Sequence, residues 1–142
     1  MPTPAEARRL VHHFTEAFNT GNLAHLDECI AEDYVQHNPD VPPGRAGLRG
    51  TVTRWRSFVT DLRVHADDVI AGEQRVVARL TVTGRQTGPL LGLPVTGRSF
   101  SLGIIDIWRI ADGRFAEHWD EMDLLGLHRQ LGLLPDRPES AR

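Results

Sequence analysis

The stretch Phe100–Asp123, FSLGIIDIWRIADGRFAEHWDEMD, restricts the fold of this 142-residue chain more than any other. Phe100, Leu102, Ile104, Trp108 and Ile110 alternate, and a strand has a side-chain period of two, so these residues share one face. Asp106 falls in the same row and should point where Ile104 and Trp108 point. Ala111-Asp112-Gly113 suits a three-residue hairpin loop, in which Gly113 takes the positive φ that such a loop needs. That register sets Ile110 opposite Arg114, Trp108 opposite Ala116, Asp106 opposite His118 and Ile104 opposite Asp120. Asp106, His118 and Asp120 then meet on one apolar face. A two-residue loop would instead turn His118 and Asp120 to the other face, because a one-residue slip exchanges the faces of a strand.

A buried charge is costly unless it is paired or neutralised by a shift in pKa. Two carboxylates and an imidazole in an apolar pocket would therefore titrate together, away from their ordinary values. General acid/base catalysis near neutral pH uses such groups. The alternative is a satisfied core ion pair between Asp106 and His118, or an exposed sheet edge.

The rest of the composition narrows the field. One domain, residues 1–142, is expected from the length, which suffices for a real core. A net charge of −3 and a pI near 6.1 give no reason to expect nucleic acid or an anionic membrane as partner. All sixteen basic residues are arginine, so a lysine Schiff base is excluded. Cys29 is the only cysteine, which rules out an intramolecular disulfide and a cysteine-rich metal site. The N-terminus MPTPAEARRL lacks the apolar run of a signal peptide, and no segment approaches membrane-spanning length. A cytoplasmic protein is the expectation.

Helical periodicity precedes the strands. Thr3-Pro4-Ala5-Glu6 reads as a capping box, followed by Leu10, Phe14, Ala17 and Phe18 at helical spacing and a stop at Gly21. Asn22 can cap a second, shorter helix bearing Leu23, Leu26 and Ile30. AEDYVQHNPD reads as a polar segment ending in the loop VPPGRAG, and a third helix is expected from about Leu48 to Leu62. The period then changes to two. Strands are expected over Arg63–Ile70, around Val76–Val82, Ser99–Ile110 and Arg114–Glu121. Between them, TGPLLGLPVTG places Leu90, Leu91, Leu93 and Val95 at a cavity mouth or a subunit contact. DLLGLHRQLG forms a short closing helix with Gly132 at its C-cap, and the tail DRPESAR is expected to fray. Helices first and an antiparallel sheet afterwards give an α+β architecture, with a pocket between sheet and helices.

DYVQHNP at 33–39, GLPVTGRSF at 92–100 and IDIWRIADGRFAEHWDEMDLLGLHRQLG at 105–132 resemble the SnoaL-like polyketide cyclase group of the NTF2-like superfamily. The resemblance implies a cone: a curved antiparallel sheet packed on three N-terminal helices, with a short C-terminal helix and a deep apolar cavity. It implies a homodimer and a small hydrophobic substrate. It also implies cofactor-free aldol cyclisation of a polyketide ketone, with Asp120 in the position of the family's acid/base aspartate. Those cyclases carry a histidine on the preceding strand where this chain has Asp106, and His118 offers an imidazole from across the ladder.

His37 and Asn38 stand where the family's chain enters the pocket rim. They would hydrogen-bond a substrate carbonyl or enolate, or simply begin a turn before Pro39. Tyr34 is either a substrate contact or a core tyrosine with a satisfied hydroxyl. Trp55 and Trp108, like Trp119, stack on a flat ligand or fill the core, and Phe14 and Leu91 complete the expected wall. His12, His13, His25, His65 and His128 form no ligand set with carboxylates, so no metal is assigned, and the resemblance implies no cofactor. Glu117, Glu121 and Asp123 are expected to face solvent or cap a helix. The alternatives on the same fold are an epoxide hydrolase bridging Asp106 and Asp120 through Arg79 or Arg98, a ketosteroid-isomerase-like enzyme, and a non-catalytic binding dimer.

Overall fold

The computed structural model describes residues 1–135; the tail DRPESAR lies outside them. Helix α1, Pro4–Thr20, opens on the expected capping box, with Thr3 Oγ1 accepting from the Glu6 amide at 3.1 Å and Glu6 Oε2 accepting from the Thr3 amide at 2.7 Å. Its apolar stripe, Leu10, Val11, Phe14, Ala17 and Phe18, is buried. Helix α2, Ala24–Cys29, is shorter than its spacing suggested, because Ile30 already begins a strand. Asn22 accepts from the Ala24 amide at 3.1 Å, which satisfies one of the free donors at the helix start.

That strand, β1 over Ile30–Gln36, replaces the expected polar segment. Ile30 and Tyr34 are buried, but Glu32 and Asp33 between them are exposed and the register against its neighbour shifts, so the period of two is masked. Helix α3, Gly44–Phe58, begins and ends four residues earlier than expected. Its first turn, Gly-Arg-Ala-Gly, has no apolar stripe to announce it. Beyond it the chain enters strand β2, Val59–Gly72, where Leu62 is buried on the strand rather than on the helix.

Strands β3 (Arg75–Gln86), β4 (Ser99–Ala111) and β5 (Arg114–Met122) and helix α4 (Leu124–Gln130) complete the chain. The sheet order is β1-β5-β4-β3-β2, antiparallel except for β1 beside β5. Register shifts in β2 and β5 bend the sheet, and α1 packs on β2, α3 on β1 and α4 on β4, leaving a cone with one concave face. Asp123 caps α4 by accepting from the Gly126 amide at 2.9 Å, and Gly132 takes φ 75° just beyond the helix. In loop 87–97, buried Gln86 accepts from the Thr96 amide at 2.9 Å and donates to the Pro94 carbonyl at 2.8 Å. That anchor buries Leu90, while Val95 remains exposed. No helix among the described residues is long and apolar enough to cross a membrane.

The β4–β5 hairpin corrects the expected register. The turn has two residues, Asp112 (φ 51°) and Gly113 (φ 74°), joining Ala111 to Arg114. Ile110 pairs with Phe115, but Arg109 pairs with Glu117, so Ala116 is an extra residue on β5. Asp106 consequently faces Asp120, and Trp108 faces His118. The shorter turn exchanges the faces of β5 and the bulge exchanges them back. Asp106, His118 and Asp120 therefore share a face although each expected pairing is displaced.

Candidate active site

The concave face of the sheet and helices α1 and α3 enclose a cavity of about 600 Å³, its mouth included. Phe14 and Phe18 from α1, Leu48 and Trp55 from α3, Leu80 and Val82 from β3 and Ile104 from β4 form apolar walls. Leu91 reaches the cavity from the 3₁₀ turn Leu90–Gly92. At one end stand Gln36, Asn38, Asp106, His118 and Asp120, with Asp40 at the exposed rim. Apolar walls with a few polar groups gathered at one end suit a largely apolar molecule.

Asp106 and His118 are the most deeply placed of these. Asp106 Oδ1 lies 2.5 Å from His118 Nε2, with both side chains buried. Burial pushes the Asp106 carboxyl up from its ordinary range, against the opposing pull of the hydrogen bond to His118. The other ring nitrogen, His118 Nδ1, lies 2.7 Å from Gln36 Oε1. Asp120 accepts from Asn38 Nδ2 at 2.9 Å through Oδ2, the same oxygen that stands 3.9 Å from His118 Nε2. Among the described residues no hydrogen bond reaches Asp120 Oδ1. Asn38 Oδ1 in turn accepts from the Asp40 amide at 2.8 Å, which orients its amide nitrogen toward Asp120.

Three expected contacts lie elsewhere. Tyr34 and Trp108 are fully buried behind His118, where Tyr34 Oη accepts from Trp108 Nε1 at 3.0 Å and the Tyr34 ring stacks on His118 at 5.9 Å. Neither ring lines the cavity; a satisfied indole and phenol form the floor on which the histidine rests. Burial raises the Tyr34 hydroxyl well above its ordinary pKa, so it stays protonated. His37 turns away from the cavity. It is 43% exposed, contacts Glu117 Oε2 at 2.8 Å and stacks on Trp119 at 4.9 Å. Strand geometry is the reason: Tyr34, Gln36 and Asn38 share one face of the β1 segment, and His37 falls on the other. Glu117 also differs from expectation, since Arg109 and His37 both bind it and hold its carboxyl below the ordinary range.

Phe14, Trp55, Leu91 and Asn38 are on the cavity wall, and so is Gln36, which sequence reasoning passed over. Recognising β1 as a strand would have found it, as the residue two after Tyr34. The arginine bridge that epoxide hydrolysis would need is absent among the described residues: Arg79 pairs outward with Asp67 and Asp68, and Arg98 lies against Gly132. Asp106, His118 and Asp120 also form the one group among the described residues that offers three potential metal-ligand atoms, all within 4.8 Å. Both His118 nitrogens are already hydrogen-bonded, so a cation would have to displace Asp106 from Nε2.

The model of the SnoaL-like polyketide cyclase family matches residues 8–131. The chain belongs to this family. It is 36% identical over 140 residues to the aklanonic acid methyl ester cyclase DauD of Streptomyces sp. (strain C5), covering 94% of this chain and 86% of that protein. It is also 36% identical over 124 residues to the nogalonic acid methyl ester cyclase of Streptomyces nogalater, covering 82% of this chain and 90% of that one. The structure of TsrD from Streptomyces laurentii superposes with a TM-score of 0.89 at 50% identity, over 94% of this chain and all of the other. The SnoaL-like cone expected from the C-terminal motif is thus the fold observed.

Proposed function

We propose that this SnoaL-like protein is a cofactor-independent cyclase that closes a carbon ring in an aromatic polyketide ester by an intramolecular aldol step. The observation that carries the reading is the separation of two acid/base units on one wall of an apolar cavity: Asp120, anchored by Asn38, and the buried Asp106–His118 pair 3.9 Å away. Asp120 removes the acidic proton from a carbon between two carbonyls. The resulting enolate carbon attacks a ketone in the same molecule, forming one carbon–carbon bond. The ketone oxygen, now an alkoxide, takes the proton held between Asp106 and His118. Proton return from Asp120 to His118 resets the site, so atoms and charge balance over the cycle.

The apolar walls support a polycyclic substrate, and the activities of the named cyclases support an esterified polyketide. Exposed Ile70 and Ile105, at 64% and 42%, and Val35 support burial of the outer sheet face in a homodimer. A buried, unpaired Cys29 suits the reducing cytoplasm.

The test is incubation with aklanonic acid methyl ester and related aromatic esters, followed by mass spectrometry and NMR of the product. Cyclisation gives a product of unchanged mass with one new ring. Release of methanol with the free acid left behind, or addition of water across a strained ring, marks hydrolysis. A shifted double bond without ring closure marks isomerisation, and binding without conversion marks a non-catalytic protein; each of these outcomes would overturn the reading.

A further inference from the structure

Gln36 bears on how many protons the buried pair holds. Its Oε1 lies 2.9 Å from the Asn38 backbone nitrogen and 2.7 Å from His118 Nδ1. A backbone N–H can only donate, so the side-chain atom facing it is the amide oxygen rather than the amide nitrogen. That oxygen can only accept, and His118 Nδ1 must therefore carry a hydrogen.

With Nδ1 protonated, Nε2 has two states. It is bare and accepts from a protonated Asp106, or it is protonated and faces a carboxylate. Both contain one further proton in the 2.5 Å contact, and both give the pair a net charge of zero. If Nδ1 were bare, a single proton on Nε2 would suffice to bridge to an ionised Asp106, and the pair would carry a charge of −1. The buried, largely apolar surroundings favour the neutral count, since burial already opposes ionisation of Asp106. Asp120 faces the same histidine at 3.9 Å, and a second negative charge beside it would be opposed as well.

We propose that Gln36 is a positioning residue: by accepting from His118 Nδ1 it fixes the tautomer that keeps a transferable proton between Asp106 and His118. Resting on the acid/base reading above, this assigns the residue that holds the acid in its loaded state. Fixing a tautomer through the second ring nitrogen is a general means of preparing a histidine for proton transfer.

The experiment is two-dimensional NMR of the histidine ring nitrogens in ¹⁵N-histidine-labelled protein, with His118 assigned by its loss in His118→Phe. Wild type should show a protonated Nδ1 across the pH range in which the protein is folded. Gln36→Leu should lose the Nδ1 proton and show a single proton on Nε2, with turnover of the methyl ester reduced about tenfold or more and KM little changed. Gln36→Glu retains an acceptor and should keep Nδ1 protonated, which covers the case in which the leucine variant does not fold. A bare Nδ1 in wild type, an unchanged His118 spectrum in Gln36→Leu, or a bare Nδ1 in Gln36→Glu would overturn the proposal. The spectrum does not depend on turnover, so failure of the cyclase reading leaves this result interpretable.

Discussion

Asp106 Oδ1 and His118 Nε2 are 2.5 Å apart, with 3% and 4% of their residue surfaces exposed. Each group satisfies the other where water cannot. Removing one partner strands the other, which generally costs more than the pair contributes.

His118→Leu should therefore destabilise the fold by about 3–5 kcal/mol, because Asp106 loses its partner and Gln36 its donor. His118→Leu combined with Asp106→Leu should cost less than the sum of the two single changes, since the double variant leaves neither group buried without its partner. Urea unfolding of the three variants checks this. Additive losses would mean that the two residues do not act as a pair.

The raised Asp106 carboxyl has a definite signature in pH. A group whose pKa rises on folding stabilises the native state fully below its unfolded value, about 3.9, and loses that contribution as pH rises through the folded value. The stability of wild type minus that of Asp106→Asn should thus fall as pH climbs from about 4. Denaturation midpoints measured at several pH values provide the difference. A difference that grows over this window would mean that the carboxyl is held down rather than up.

Cys29 sits in the core with no exposed surface, and burial pushes its thiol up to about 12. At pH 8 only roughly one molecule in ten thousand would carry the thiolate. A disulfide reagent such as dithionitrobenzoate should label the native protein only as fast as it opens, and the urea-unfolded protein completely. Labelling within the mixing time under native conditions would place the thiol at the surface.

Much of this architecture is legible in the sequence because burial imposes a period. Phe100, Leu102, Ile104 and Trp108 announced their common face, and Asp106 in that row announced a polar group inside it. The pairing across the hairpin was not legible, since a two-residue turn and a bulge at Ala116 each shift β5 by one residue and only their combination preserves the face. Strand β1 was hidden for a related reason: exposed Glu32 and Asp33 occupy an irregular edge strand, where charge does not conflict with burial. Missing that strand made His37 and Asn38 look like equal partners at the rim and concealed Gln36. Tyr34 and Trp108 show a further limit. An aromatic residue that backs a buried polar side chain and one that lines a cavity carry the same apolar signal, and only their depth behind His118 separates them.

Asp120 is the proposed base, and Asp120→Asn tests that role most directly. The substitution keeps the shape and the hydrogen-bonding capacity toward Asn38 while removing the charge that accepts the proton. Steady-state turnover of an aromatic polyketide methyl ester should fall by about a hundredfold or more, with the circular dichroism spectrum unchanged. A loss below about threefold in a folded variant would contradict that role and remove Asp120 from the chemistry.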